Sequence, residues 1–184
     1  MILNLVKKYR FFILSGVLFL IDQLTKLFIV KLFPNPIGSV TWITDKMEDK
    51  ISILNPILKI QRLENPNLAF GLNPGDSFDL LINALTIILT LLIAYYLYVG
   101  SQKINYKFLK NASLSLILGG ALGNLYDRLV HGAVVDFIDV GLTEQIRFPF
   151  IFNMADSFIT IGMILIIFSD FFLYKKVENE ISNS

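Results

Sequence analysis

The sequence has no cysteine and a single histidine. Disulfides, thiolate metal sites and cysteine nucleophiles are therefore excluded, and so is a histidine-rich metal centre. Charge is scarce as well. Asp, Glu, Lys and Arg make up 17% of the chain, against roughly 25% in soluble domains. The net charge is +1, and no basic stretch is interleaved with aromatics, so nucleic acid is not an expected partner. No internal repeat is evident. What fills the 184 residues is apolar mass: 54% are hydrophobic, with sixteen Phe and seven Tyr, and the mean hydropathy is +0.63. That balance points to an integral membrane protein built as a single domain over residues 1–184.

Four mostly apolar runs, about 11–33, 78–99, 109–127 and 154–174, are each long enough for a transmembrane helix at about 1.5 Å of rise per residue. The first is broken by Asp22, Gln23 and Lys26 and is followed by no small-residue cleavage pattern, so it is expected to stay as a helix rather than be removed as a signal peptide. Pro34, Pro36 and Gly38 end it. Four spans bring both termini to one side. Lys7, Lys8, Arg10, Lys103, Lys107, Lys110, Lys175 and Lys176 all fall on that side, which makes it cytoplasmic by the positive-inside rule. Segments of about 34–77 and 128–153 are then extracytoplasmic. Within the first, residues 44–50 read as solvated loop. Leu58 and Ile60 alternate with Lys59 and Gln61 over 57–63, as in a half-buried strand. Residues 134–140, VVDFIDV, read as a second short strand. Ser115, Gly119 and Gly123 recur every fourth residue, a spacing that lets helix backbones approach closely. Trp42 and the tyrosines suit interfacial anchoring.

The polar residues inside this apolar frame carry the chemistry. Asp22 sits about halfway along the first run with Lys26 one turn on. A carboxylate at that depth costs roughly 2.5–3.5 kcal/mol. It is either neutralised by Lys26 as an i,i+4 pair or faces the bundle interior near a site. Asn65 lies in ENPNLAFGLNPG, which reads as turn chemistry or as a loop presenting Asn65 to a ligand. Asn124, Asp127, Arg128, Asp136, Asp139, Asn153 and Asp156 crowd between Gly119 and Asp156, all near the outer boundary. Asp127 and Arg128 can pair with groups at the helix end, His131 is expected in a surface loop, and Asp170 near Lys175 and Lys176. Asp156 falls in the first turn of the fourth helix, where the dipole favours a carboxylate. Three positions apart on a strand, Asp136 and Asp139 point to opposite faces. Asp136, on the face of Val134 and Ile138, is the better partner for Asp156. Two carboxylates held close in a low dielectric cannot both ionise cheaply. The ionised one can take a proton from water and the protonated one can polarise an amide carbonyl. The alternative is that Asp136 bridges to Arg128 or Arg147 as a structural ion pair. Two other functions compete: a small transporter or channel subunit relaying protons or cations through intramembrane Asp residues, and a non-catalytic assembly protein using the Ser115–Gly119–Gly123 face.

DQLTK at 22–26, GGALGNLYDRL at 119–129, GAVVDFID at 132–139 and FNMADS at 152–157 together resemble lipoprotein signal peptidase, also called signal peptidase II, over nearly the whole chain. The resemblance implies a membrane all-α fold: a four-transmembrane-helix bundle with a small extracytoplasmic β-rich cradle and loop. It implies an aspartic endopeptidase that removes the signal peptide from prolipoproteins on the N-terminal side of a diacylglyceryl-modified cysteine. Asp136 and Asp156 become the catalytic pair. Asp22, Lys26, Asn65, Asn124, Arg128 and Asn153 become supporting or substrate-binding residues. No cofactor and no metal are implied. The partners are diacylglyceryl-modified prolipoproteins and membrane lipids, and the protein is a monomer of the bacterial cytoplasmic (inner) membrane. The chain departs from the family where a pattern Asn-x-Gly-x-x-Phe begins at Asn65 and ends at Phe70. Asn67, preceded by Pro66, stands at the glycine position. Asn is the side chain that best tolerates positive φ there. The 34–57 loop is longer than the family needs and has no assigned role.

Overall fold

Helix α1, Ile2–Leu32, shows why this chain folds as a bundle. Phe11, Ser15, Leu18, Asp22, Lys26 and Ile29 are buried, and Phe33 just beyond its end is buried too. They recur at three- and four-residue steps, which draws one stripe down a helix. Val17, Leu24 and Phe28 on the other faces stay exposed. The exposed side chains are apolar and the buried stripe carries charge, an inversion that suits lipid surroundings. The computed structural model describes residues 2–34, 36, 50–66, 76–102 and 108–182. Trp42, residues 37–49 of the long first loop, Asn67, Phe70, Lys103 and Lys107 lie outside them.

Three further helices follow: α2 Asp76–Gln102, α3 Phe108–His131 and α4 Met154–Ser182. Stretches Tyr9–Leu32, Asn83–Gln102 and Met154–Phe171 are long and apolar enough to cross a membrane. Helix α3 is more polar because protein surrounds it: it packs against α1, α2 and α4. Its small residues set those distances. A Cβ on Gly119 would lie 2.7 Å from Leu18 Cβ and 2.9 Å from the Ser15 carbonyl, and one on Gly162 of α4 would lie 2.8 Å from the Ser113 carbonyl. The four-residue spacing is thus a packing face.

Among the described residues, the strands β1 Ile51–Leu54, β2 Leu58–Asn65 and β3 Val134–Val140 form one antiparallel sheet in the order β1-β2-β3. The pairing slips between Ile60↔Ile138 and Leu63↔Asp136, a bulge that gives β2 one extra residue. Gln61 and Arg62 are both buried there. Gln61 donates to Asp139 Oδ2 at 2.9 Å, and Arg62 Nη1 donates to the Phe33 and Pro34 carbonyls at 2.8 and 2.9 Å. Arg62 also pairs with Glu64. It thereby caps the carbonyl end of α1, which Pro34 has terminated. Ile29, Phe33 and Phe137 form the apolar contact between bundle and sheet, with Ile60, Val135, Ile138 and Met154 against them.

Two chain features aim the sheet at the bundle. Helix α3 ends at His131, one residue before Gly132 at φ 74°, the left-handed cap that glycine adopts most cheaply. His131, expected in a loop, therefore closes the helix and stacks edge-on against Tyr126. Beyond β3, Phe152 pairs back with Ile138 before α4 begins. Asp139 is held by Arg147, whose Nε donates to Oδ1 at 2.8 Å and whose Nη1 donates to the Pro56 carbonyl at 2.7 Å. At the far end of the bundle Asp170 pairs with Lys110 at 2.9 Å.

Candidate active site

Asp156 owes its place to the start of α4. Asn153 Oδ1 accepts from the Asp156 backbone N–H at 3.0 Å, and Asp156 Oδ2 accepts from the Asn153 backbone N–H at 3.2 Å. This is a capping box with Asn and Asp in its two positions. The other Asp156 oxygen, Oδ1, accepts from Asn124 Nδ2 at 2.7 Å.

Asp136 is buried, 3% exposed. Its Oδ1 accepts from Asn153 Nδ2 at 2.7 Å and its Oδ2 from Asn65 Nδ2 at 3.1 Å. Asn153 therefore touches both aspartates, one through its side chain and the other through its capping groups. Burial pushes the Asp136 carboxyl up to about 7, and the neighbouring Asp156 charge adds to the rise; the hydrogen bonds from Asn65 and Asn153 and the charge of Lys26 oppose it. Asp139 points elsewhere, to Gln61 and Arg147, as strand alternation requires. The pairing of Asp136 with Arg147 is thus not formed.

Beneath the aspartates lies a second layer of charge. Lys26 Nζ is 2.7 Å from Asp22 Oδ2, 2.8 Å from Asp127 Oδ2 and 3.1 Å from Asn124 Oδ1. Those three contacts use all three protons of an ammonium. They also fix the Asn124 amide. Its oxygen must face Lys26 and Asn153 Nδ2 (3.2 Å), so its nitrogen faces Asp156. The i,i+4 pair of Asp22 and Lys26 exists, and Asp22 also faces the interior: its Oδ1 accepts from the Ala155 N–H at 2.9 Å. Gln23 Nε2 donates to Asp127 Oδ1 at 3.0 Å and to Asp22 Oδ2 at 3.1 Å. Gly123 makes room, because a Cβ there would meet the Asp22 carboxylate.

The structure thus joins Asp136, Asp156, Asn65, Asn124 and Asn153 directly, Lys26 through Asn124, and Asp22 through Lys26. Arg128 is half-buried beside them. Its Nη1 reaches the Asn124 carbonyl at 3.5 Å, and the carboxylates whose charge it feels are Asp156, Asp136 and Asp127. Among the described residues it forms no ion pair. Asp127 and Gln23 were missed as site residues. Asp127 does not serve the helix end; it is buried, 2% exposed, and faces α1. The signal lay in its spacing, three residues after Asn124 and four after Gly123, which puts all three on one face.

Helices long and apolar enough to cross a membrane, with two carboxylates joined through Asn153 at one end of their bundle, define a membrane protein with a buried acidic site. Residues 14–172 match the family model of signal peptidase (SPase) II. A lipoprotein signal peptidase of Pelagibacter ubique (strain HTCC1062) is 34% identical over 179 residues, covering 97% of each chain. One of Staphylococcus aureus (strain JH9) is 36% identical over 137 residues, covering 74% of this chain and 78% of that one. A bacterial membrane enzyme solved by the in meso method at 2.3 Å superposes with a TM-score of 0.67 at 30% identity, covering 92% of this chain and 90% of that one. A second such enzyme, at 1.9 Å, gives 0.61, also at 30% identity, over 87% of this chain and 91% of that one. The chain belongs to the signal peptidase II family, and is thereby a bacterial membrane peptidase of lipoprotein processing.

Proposed function

We propose that this protein is an aspartic endopeptidase that removes signal peptides from prolipoproteins, cutting on the N-terminal side of the diacylglyceryl-modified cysteine. The observation that carries the reading is Asn153, which binds Asp136 and Asp156 at once. Asp136, the more buried, keeps a proton near neutral pH. Asp156, held at a helix N-terminus by two N–H donors, is the general base. A water between them attacks the scissile carbonyl carbon, Asp156 takes the water's proton, and Asp136 gives its proton to the carbonyl oxygen. The C–N bond of the resulting gem-diol then breaks. Asp156 returns its proton to the leaving amine while Asp136 recovers one from a diol hydroxyl. The pair ends as it began. Asn65 and Asn153 hold Asp136, Asn124 holds Asp156, and Arg128, which forms no ion pair among the described residues, offers its guanidinium to a peptide carbonyl of the substrate.

All four helices span the bilayer in this reading, α3 sheltered by the other three. The termini are cytoplasmic, and the sheet with its site lies at the extracytoplasmic face. The monomer takes its substrate from the surrounding lipid. The diacylglyceryl chains, worth about 0.8 kcal/mol per buried methylene, fix the depth of the cysteine and so of the bond before it. A transporter would need a charged path through the opposite half of the bundle. Ser15, Ser113 and Ser115 are buried there, but each hydroxyl is tied to its own helix backbone four residues back. The test is purified protein in detergent with a diacylglyceryl-modified prolipoprotein. Asp136→Asn and Asp156→Asn should each stay folded and cleave nothing; cleavage by either at the wild-type rate overturns the reading.

A further inference from the structure

Lys26 joins two carboxylates, each of which binds the backbone next to one of the site aspartates. On one side its partner Asp22 accepts from the N–H of Ala155 at 2.9 Å, the residue just before Asp156. On the other side its partner Asp127 accepts from the N–H of Val135 at 3.4 Å, the residue just before Asp136. Each outer carboxylate thus anchors the peptide unit from which one site aspartate springs, and one ammonium ties the two anchors together. Gln23 ties them a second time. All three charged groups are at least 97% buried, where a satisfied network is stiff and a broken one costly.

We infer that Asp22, Lys26 and Asp127 form a brace that sets the spacing of Asp136 and Asp156, and that Asp127 is a positioning residue for Asp136. The inference rests on the catalytic reading above. Asp127 touches no reacting atom. It holds β3 at the Val135 N–H, beside the β2 pairing at Leu63 and Asn65, where Asp136 reaches Asn153. The 3.4 Å bond is the long member of the set, so the Asp136 side of the brace has the most slack and is the side on which its loss should show.

The test is steady-state cleavage of a diacylglyceryl-modified prolipopeptide by the full chain in detergent, per mole of monodisperse protein. Asp127→Ala removes every acceptor and should lower kcat by about 10- to 100-fold, as a displacement near 1 Å does, with KM within about twofold. Asp127→Asn keeps an acceptor for Val135 or Gln23 while losing the charge, and should fall between the two. That order, with the loss in kcat, is not what a merely structural residue gives. Should Asp127→Ala fail to fold, Asp127→Asn decides alone by the same split. A wild-type kcat in the folded Asp127 variant, or a loss confined to KM, overturns the brace. Asp136→Asn runs alongside: if it cleaves normally the catalytic reading has failed, whereas an inactive Asp136→Asn beside a fully active Asp127 variant removes the brace alone.

Discussion

Gly123→Ala isolates the geometry beneath the site with a single methyl group. A Cβ at Gly123 would lie 3.0 Å from Asp22 Cγ, well inside contact with its Oδ2, and 3.4 Å from Ala155 Cβ. The Ala155 contact is ordinary, so Asp22 is what must yield, by about 1 Å if the carboxylate is to clear the methyl. Asp22 is fully buried and holds Lys26 and the Ala155 N–H at 2.7 and 2.9 Å. A shift of that size breaks at least one of the two. For stability the terms nearly cancel. Alanine in place of glycine stabilises a helix interior by about 0.5–1 kcal/mol, while overpacking costs about 1–3 kcal/mol. The expected outcome is a thermal midpoint within a few degrees of wild type. Activity has no such compensation: a displacement near 1 Å in the support of a reacting group costs about 100-fold in rate. The assay pairs detergent thermal unfolding with initial rates on a diacylglyceryl-modified prolipopeptide. A Gly123→Ala protein that keeps the wild-type rate would show that Asp22 does not position the site.

Other consequences are independent of that one. The Asp136 carboxyl, raised from 3.8 to about 7, binds more protons folded than unfolded between those values. Its stabilisation is therefore full below about 4 and is lost as pH rises through about 7. Chemical denaturation at pH 5 and pH 8 should show the wild type weaker at pH 8 by up to about 3 kcal/mol, the part of the shift that lies between those two pH values, with the difference much reduced in Asp136→Asn; equal slopes would contradict it. The same ionisation should give cleavage an alkaline limb near pH 7, read from kcat/KM against pH. Arg147→Ala leaves Asp139 with Gln61 alone and should destabilise the sheet by about 3 kcal/mol, measured by thermal unfolding. Its kcat at a temperature where it is folded should stay within a few-fold, because Asp139 faces away from the aspartate pair. Asp170→Ala breaks the exposed pair with Lys110 and should change stability by less than about 1 kcal/mol.

Much of this molecule was legible from local pattern. VVDFIDV spans β3 from Val134 to Val140, because a short β-branched run between a glycine and a polar link has few other options. The alternation around Leu58 and Ile60 marked β2, though not its bulge, which depends on pairing across the sheet. Strand β1 was missed: Ile51–Leu54 is exposed at the sheet edge and shows no burial period to read. The polar residues of the site were conspicuous because each is costly in apolar surroundings. Their partners were not, because partnership is a property of packing. Nothing in the order of residues says that Lys26 serves two carboxylates on different helices, or that Arg147 takes Asp139. Helix α3 is instructive in the same way. Its Ser, Gly and Asn content weakens it as an apolar run and makes it the centre of the bundle, where neighbours rather than lipid cover it.

The most direct test of the central claim is a double-mutant cycle on the aspartate pair, read as single-turnover cleavage of a diacylglyceryl-modified prolipopeptide by folded protein. If Asp136 and Asp156 act as one unit on one water, Asp136→Asn and Asp156→Asn should each lower the rate by about 10⁴-fold or more, and the double variant should be no slower than either. Independent losses that multiply in the double variant, or a single variant that still cleaves within about tenfold of wild type, would contradict it.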